Sequence, residues 1–138
     1  MNGVDTNILI YSVDVNEPIK QLKAQQLLQQ LARGPVPTLL PWQVIAEFLQ
    51  QLRKWKSAGK IDHAKFVQHI QTYRLLFPLV FPRADIIDRS LALSEKYSLS
   101  HWDSMILAAC QSAGITTLYT EDMGAPRTID GISLVNPF

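Results

Sequence analysis

The chain has 138 residues, of which 47% are hydrophobic and 18% are charged, and its formal net charge is +1. These proportions exclude a disordered chain, and the length predicts one domain over residues 1–138. No apolar stretch reaches the roughly 18 residues that a membrane span needs, and no signal peptide is expected at the N-terminus. Because the only cysteine, Cys110, cannot form an internal disulfide, a reducing, cytoplasmic compartment is expected.

Short apolar strands alternate with amphipathic helices along the chain. Helices are predicted where apolar side chains recur at helical spacing beside capping or helix-breaking residues: 17–32, 41–57, from Asp62 through Tyr73, 84–97 and 100–114. Strands are predicted for five short apolar segments: the segment that ends at Val4, 38–40, 79–81, 116–119 and 134–135. This alternation is typical of the α/β class, with a parallel sheet covered by helices on both faces.

Acidic side chains follow the predicted strands or lie on the helices beside them: Asp5, Glu47, Asp103 and Asp122. Ligands of such folds bind beyond the carboxyl ends of the strands. Each acid also has an ordinary structural explanation, as a helix cap, a turn residue or a solvated helix residue. Since three of the four fall at strand ends or helix starts on the same rim, the sequence favours one acidic site.

Carboxylates that converge need a compensating charge. Two of them about 5 Å apart repel by about 3 kcal/mol at an effective dielectric constant of about 20. Oxygen-only ligands favour Mg²⁺ or Mn²⁺, and the three histidines form no zinc-binding pattern. Carboxylate-held Mg²⁺ suits phosphoryl chemistry. No phosphate-binding glycine loop or nucleophile motif is present, so a metal-dependent hydrolase of phosphodiesters is the favoured interpretation.

Basic side chains are concentrated in residues 53–83, which hold seven basic groups and one acid. We name this segment the basic strip. Lys54 lies seven residues after Glu47, roughly 10 Å along the same helix face. Lys54 and its neighbours Arg53 and Lys56 are therefore candidate contacts to a polyanionic strand that enters the acidic site. The alternative is a solvated helical hairpin with no ligand.

Four segments together resemble the motifs of PIN-domain ribonucleases, and the last residues resemble the tail of VapC-type toxins from bacterial toxin–antitoxin pairs. The motif segments are 5–11, 44–48, 99–109 and 118–123, and the tail is 135–138. The resemblance implies a three-layer α/β/α sandwich with a central five-stranded parallel sheet. It also implies that Asp5, Glu47, Asp103 and Asp122 form the catalytic Mg²⁺ (or Mn²⁺) site.

The same resemblance implies an endoribonuclease that leaves 5′-phosphate and 3′-hydroxyl ends, the toxin of a type II pair, with an antitoxin partner and a homodimer. It assigns Thr6, Asn7 and Thr120 to orienting the carboxylates or the attacking water. Glu121 is either a ligand or a solvated neighbour. Asp122 is preferred to Glu121, because it holds the third place of a Thr-x-Asp pattern.

Several alternatives stay open at this point. A non-catalytic RNA-binding or scaffold module would keep the fold without turnover. A phosphate-switch domain of the receiver type is disfavoured, since no lysine follows the strand that ends at Tyr119. Asn2-Gly3 before Val4 indicates either a short first strand or a glycine that lets another backbone approach. Trp42, Trp55 and Phe77 are candidates for a partner-binding surface, although a core position is the more common role for such residues.

Overall fold

The computed structural model describes residues Met1–Phe138 and contains six helices and six strands. The strands are β1 (Asn2–Val4), β2 (Thr38–Pro41), β3 (Leu79–Val80), β4 (Thr117–Tyr119), β5 (Arg127–Ile129) and β6 (Ile132–Val135). The helices are α1 (Thr6–Val13), α2 (Pro18–Arg33), α3 (Trp42–Ser57), α4 (His63–Leu76), α5 (Asp85–Tyr97) and α6 (His101–Ala113). The five predicted helices and the five predicted strands are confirmed, with bounds that differ by one to three residues. Helix α1 and strand β5 were not predicted.

The strands form one sheet in the order β3-β2-β1-β4-β6-β5. All neighbouring pairs from β3 to β6 are parallel, whereas β5 runs antiparallel to β6 at the edge. The expected five-stranded parallel sheet is therefore present, and helices flank it as a three-layer sandwich. The additional strand β5 turns into β6 through Asp130 and Gly131, both of which have positive φ. Such a two-residue turn is typical of a tight hairpin.

The central strands are short and deeply buried. Val4 and Leu118 are fully buried, and they belong to one cluster of 25 buried hydrophobic residues. Strand β1 has only three residues, which confirms the first of the two interpretations of Asn2-Gly3, a short first strand. A Cβ atom at Gly3 would lie 3.2 Å from two carbon atoms of the Ile115 side chain. The glycine therefore makes room for a packed side chain and not for another backbone.

Helix α3 shows why its segment folds as it does. Its buried residues are Val44, Ile45, Phe48 and Leu52, which recur at helical spacing and pack into the core. The helix starts directly after Pro41, whose strand β2 is paired on both sides, so the start of α3 is held at the carboxyl edge of the sheet. The opposite face of α3 is left for polar side chains.

The three aromatic residues weighed as either core or partner-binding differ in exposure. Phe77 is a core residue, with only 2% of its surface exposed, and Trp55 is half-buried. Only Trp42 is exposed. Phe77 caps the carboxyl end of α4, two residues before β3, and its side chain belongs to the hydrophobic core. None of the helices combines the length and the apolar character that would let it cross a membrane.

Truncation of Leu118 should destabilise the fold strongly, because its fully buried side chain lies on a central strand. Leu118→Ala is expected to lower the free energy of unfolding by about 2–5 kcal/mol in chemical denaturation. The control is Leu75→Ala, at a residue that is 87% exposed, which should change it by less than about 0.5 kcal/mol. Equal effects of the two variants would contradict this packing.

Candidate active site

Asp5 occupies the carboxyl end of β1 and caps α1 at the same time. Its backbone N–H donates to the Tyr119 carbonyl oxygen across the β1–β4 pair, at 2.9 Å. Its carboxylate accepts hydrogen bonds from the Thr6 backbone N–H and from Thr120 Oγ1, each at 2.7 Å. Only 8% of the residue is exposed. Asp5 therefore does cap α1. The capping hydrogen bond keeps its buried carboxylate at the edge of the sheet where two parallel strands end.

Burial dominates the protonation of this carboxyl group. It raises the pKa of Asp5 from an ordinary 3.8 to about 6, against the hydrogen bonds from Thr120 and Thr6, which lower it. The negative charges of Asp122 and Glu47 raise the pKa further. Asp122 and Glu47 therefore lie close enough to act on the Asp5 carboxyl group through space, as the sequence interpretation of a shared site requires.

Glu47 joins the site from α3. Its Oε2 accepts a hydrogen bond from Thr6 Oγ1 at 3.1 Å, and its Oε1 accepts one from Gln43 Nε2 at 2.7 Å. The same Gln43 nitrogen donates to the Trp102 carbonyl oxygen at 3.1 Å, so it connects the start of α3 to the start of α6. Gln43 was not predicted as a supporting residue, although its position four residues before Glu47 was a usable signal.

Asp122 is exposed and is held by the amide of Asn7. Asn7 Nδ2 donates to Asp122 Oδ2 at 3.0 Å. The backbone N–H of Asp122 donates to Thr120 Oγ1 at 3.0 Å, while the Thr120 hydroxyl donates to Asp5. The fully buried Thr120 therefore links two of the predicted acids. Thr6, Asn7 and Thr120 all contact predicted acids.

Glu121 points to a different set of partners from its neighbour Asp122. Its carboxylate lies 2.8 Å from Lys20 Nζ and accepts a hydrogen bond from the Tyr11 hydroxyl at 2.6 Å. Burial raises the pKa of Glu121, but the hydrogen bonds from Lys20 and Tyr11 outweigh it, so the pKa lies below its usual range. Glu121 ties the loop after β4 to α1 and α2 and is not joined to the acidic network.

Asp103 lies in the first turn of α6, and its carboxylate accepts no hydrogen bond. Its backbone N–H donates to Ser100 Oγ at 3.2 Å, which is one half of the expected capping box. The reciprocal contact from the Asp103 carboxylate is absent. Hydrogen bonds thus join Asp5, Glu47 and Asp122 into what we call the acidic network, and they leave Asp103 outside it. Gln43 donates hydrogen bonds both to Glu47 and to the carbonyl oxygen of Trp102, the residue that precedes Asp103.

The donor atoms of this network suit a hard divalent cation. All of them are oxygen atoms, as Mg²⁺ and Mn²⁺ prefer. In addition, Asn7 Oδ1 is buried and has no hydrogen-bond partner, while its amide nitrogen faces Asp122. No group of three or more acidic, histidine or cysteine side chains is arranged to hold a metal ion, however. Ligation of one ion by several of these carboxylates therefore needs side-chain movement.

The basic strip has no ion pair with the rest of the protein, since the three salt bridges of the structure all lie outside it. Arg53 and Lys56 lean over the Phe66 ring of α4, at 5.6 Å and 5.4 Å from its centroid. Lys56 also contacts His63. Lys54 makes none of these contacts and is exposed. The strip therefore presents uncompensated positive charge.

The parallel strands of this α/β/α sandwich end at one edge, where acids lie that are linked through shared Thr and Asn side chains. This arrangement defines a class of proteins with an acidic site at that edge. The sequence matches the family model of the PIN domain over residues 4–129. The chain belongs to the PIN domain family, as its motifs predicted.

Solved structures share the fold. A toxin–antitoxin complex from Klebsiella pneumoniae is 24% identical with a TM-score of 0.68, and the match covers 100% of this chain and 98% of that chain. VapBC2 from Rickettsia felis, bound to a promoter DNA fragment, is 14% identical with a TM-score of 0.70 and 96% of both chains covered. VapC20 from Mycobacterium tuberculosis, described as a toxin that cleaves the sarcin-ricin loop, is 17% identical with a TM-score of 0.63, over 90% of this chain and 92% of that chain. No curated protein matches the sequence.

The metal-free protein should lose stability as the pH rises through the titration of Asp5. Between its ordinary pKa of 3.8 and the folded-state pKa of about 6, the folded protein keeps a proton that the unfolded chain has lost. The free energy of unfolding therefore falls with rising pH in this window. The loss is complete above the folded-state pKa and amounts to about 3 kcal/mol.

Asp5→Asn removes this titration, so the variant should be more stable than the unmodified protein near neutral pH and should lose that advantage near pH 4. Thermal unfolding in EDTA across this range measures the difference. The control is Asp88→Asn, which removes an acid at an exposed position in the first turn of α5 and should show no such advantage. A stability difference that does not change with pH would contradict the raised pKa.

Proposed function

We propose that this protein is a metal-dependent endoribonuclease that hydrolyses RNA phosphodiester bonds and acts as the toxin of a type II toxin–antitoxin system. The observation that carries the proposal is the acidic network, in which Asp5, Glu47 and Asp122 meet at the carboxyl edge of the sheet through Thr6, Thr120 and Asn7. Membership of the PIN domain family and the printed descriptions of the structural neighbours support it.

Mg²⁺ or Mn²⁺ would be held by Asp5, Glu47 and Asp122, with Asp103 as the fourth proposed ligand from α6. When bound, such a cation supplies positive charge that offsets the carboxylates and polarises a phosphate. The chain's own residues prepare the site for it. Thr120 and the Thr6 backbone N–H hold the Asp5 carboxyl group in position and favour its ionised form.

The supporting residues keep the acids in place before any ligand arrives. Thr6 restrains Glu47 through its hydroxyl group, and Asn7 restrains Asp122 through its amide nitrogen. Because α1 carries both of these residues, one helix start orients acids from two other parts of the chain. This preorganisation reduces the reordering that cation binding would require.

The basic strip would guide the RNA. Lys54 follows Glu47 by two helical turns on α3, and Arg53 and Lys56 extend the positive surface toward α4. Phosphate groups bound along the strip would lie on a path to the acidic network. The binding free energy would be mostly electrostatic and therefore salt-dependent.

A non-catalytic RNA-binding or scaffold module is the second candidate function. One observation favours it, namely that no three ligands are arranged to hold a metal ion. Calorimetric titration with Mn²⁺ separates the two functions. Binding at millimolar Mn²⁺ that is lost in Asp5→Asn supports the nuclease, and no binding at that concentration supports the module.

Amide substitutions of the proposed ligands should abolish RNA cleavage. In the presence of Mn²⁺, Asp5→Asn, Asp103→Asn and Asp122→Asn are each expected to lower the cleavage rate by at least about 100-fold, a loss comparable to that of a single strong transition-state contact. Cleavage of total RNA, followed by mapping of 5′-phosphate ends, measures the effect. Asp88→Asn is the matched control, and Glu121→Gln should also retain cleavage, since the Glu121 carboxylate is paired with Lys20 and Tyr11.

Cleavage that continues in EDTA, or in all three amide variants, would contradict the proposed nuclease. Loss of cleavage in Asp5→Asn and Asp122→Asn but not in Asp103→Asn would restrict the site to the acidic network. Melting temperatures of the variants show whether each one is folded.

Neutralising Lys54 should weaken RNA binding in proportion to one lost phosphate contact. For Lys54→Ala, the slope of the logarithm of the binding constant against the logarithm of the salt concentration should become shallower by about 0.7. Fluorescence anisotropy with a labelled RNA in EDTA measures this slope. Lys96→Ala is the control, since Lys96 pairs with Asp130 on another surface. An unchanged slope for Lys54→Ala would remove this residue from the RNA path.

An antitoxin partner and a homodimer complete the proposed function. The structural neighbours include toxin–antitoxin complexes, and an inhibitor that places an Arg or Lys side chain on the acidic network would neutralise it. Exposed apolar residues remain available for assembly, such as Ile19 and Leu22 on α2 and Ile87 and Leu91 on α5.

Sedimentation should therefore give twice the chain mass of 15.6 kDa for the protein alone. A small co-purifying protein should inhibit RNA cleavage at a stoichiometric ratio and dissociate more readily from Asp122→Asn, which lacks one of the acids to pair with. A monomer at micromolar concentration would contradict the dimer. A partner that binds all acid variants equally would contradict the ionic mode of inhibition.

A further inference from the structure

A large groove opens beside the acidic network. It encloses about 840 Å³ between α1, α3, the end of β3, the start of α5 and α6. Thr6 and Glu47, which are hydrogen-bonded to each other, form part of its wall. Any molecule that fills the groove therefore lies next to the proposed site of phosphodiester hydrolysis.

The exposed large hydrophobic residues of this groove are all aromatic. Trp42 and Phe81 stack on each other, with ring centroids 5.3 Å apart and an angle of 27° between the rings. They are 46% and 64% exposed, and Trp102 on the α6 side is 61% exposed. We call these three residues the aromatic platform. By contrast, the aliphatic residue Ile86 of the same groove is buried.

The polar residues of the groove match a nucleotide. Gln50 and Gln51 carry amides that can donate to and accept from a base edge. Arg83 is exposed, forms no ion pair and is the only cationic residue in the groove wall. Its guanidinium group is free to bind a phosphate in a bidentate manner. Apart from Glu47, no acid lines the groove.

We propose that this groove binds an unpaired nucleotide of the RNA substrate, with its base stacked on the aromatic platform and a phosphate at Arg83. The inference rests on the proposed ribonuclease function and identifies the residues that would hold a base and a phosphate beside the acidic network. Stacking on protein side chains requires a base that has left its own helix. The groove therefore selects single-stranded or looped RNA over duplex RNA. This assigns Trp42, Phe81, Trp102 and Arg83 to substrate binding.

The experiment measures RNA binding without cleavage. The probe is a fluorescein-labelled single-stranded RNA of about twelve nucleotides, within the length range of single-strand binding sites, and the protein is kept in EDTA. Phe81→Ala and Trp102→Ala should each weaken binding by about 5- to 150-fold, as expected for loss of one base-stacking contact. Trp102→Phe should restore most of the affinity, because it keeps an aromatic face.

Two controls make the result specific. Leu75→Ala removes a side chain that is 87% exposed on α4, and it should bind the probe like the unmodified protein. The same RNA annealed to its complement should bind with an affinity that the platform variants leave unchanged, since its bases are not free to stack. Melting temperatures close to that of the unmodified protein show that each variant is folded.

Binding within twofold of the unmodified protein for both alanine variants would overturn the proposal. So would an equal loss for single-stranded and duplex RNA. If the variants instead change the sedimentation coefficient and leave RNA affinity intact, the platform is a protein interface. A wrong nuclease function would give a different result from a wrong groove assignment. In that case the platform variants would still lose affinity for single-stranded RNA in EDTA, while the unmodified protein would cut no RNA with Mn²⁺.

Discussion

The burial of one carboxylate, that of Asp5, is the constraint on which the site depends. Pairing of β1 with β4 brings the end of β1 beside the end of β4, and the Asp5 backbone N–H closes this junction on Tyr119. The carboxylate then has almost no access to water, and desolvation of a charged group is costly unless hydrogen bonds replace it. Thr6 and Thr120 provide such bonds. They do not offset the cost completely, which leaves the carboxyl group with a pKa of about 6 and a demand for positive charge.

Helix α3 connects the features that the proposed function needs. Its apolar face packs in the core, and its polar face begins at the groove with Trp42 and Gln43, passes Glu47 at the acidic network and ends at the basic strip with Lys54. A single rigid helix therefore sets the spacing between a base-binding surface, the acids and a phosphate-binding surface. The charges of the two ends are kept apart, because the basic strip forms no ion pair with the acids.

Local structure was predictable where its causes are local. The start of α6 depends on Ser100 accepting from the Asp103 backbone N–H, and the end depends on Gly114 with positive φ. Both signals lie within a few residues of the helix that they bound. Strand β5 was missed because its three residues are mostly exposed and have no apolar alternation. Its stability comes from pairing with β6, and only the Asp130-Gly131 turn marked it in the sequence.

The sequence alone determined which side chains are available, their order along the chain, and the helices and parallel strands that carry them. Those features follow from periodicity, capping and motif spacing. Only the tertiary structure decided which acids share an electric field, because residues such as Asp5 and Asp122 are brought together by the order of strands in the sheet. For the same reason two residues that are adjacent in sequence have different partners. Asp122 accepts a hydrogen bond from Asn7, whereas Glu121 forms a salt bridge with Lys20. Hydrogen-bond reach is about 3 Å, and no local pattern specifies a distance that small between elements a hundred residues apart.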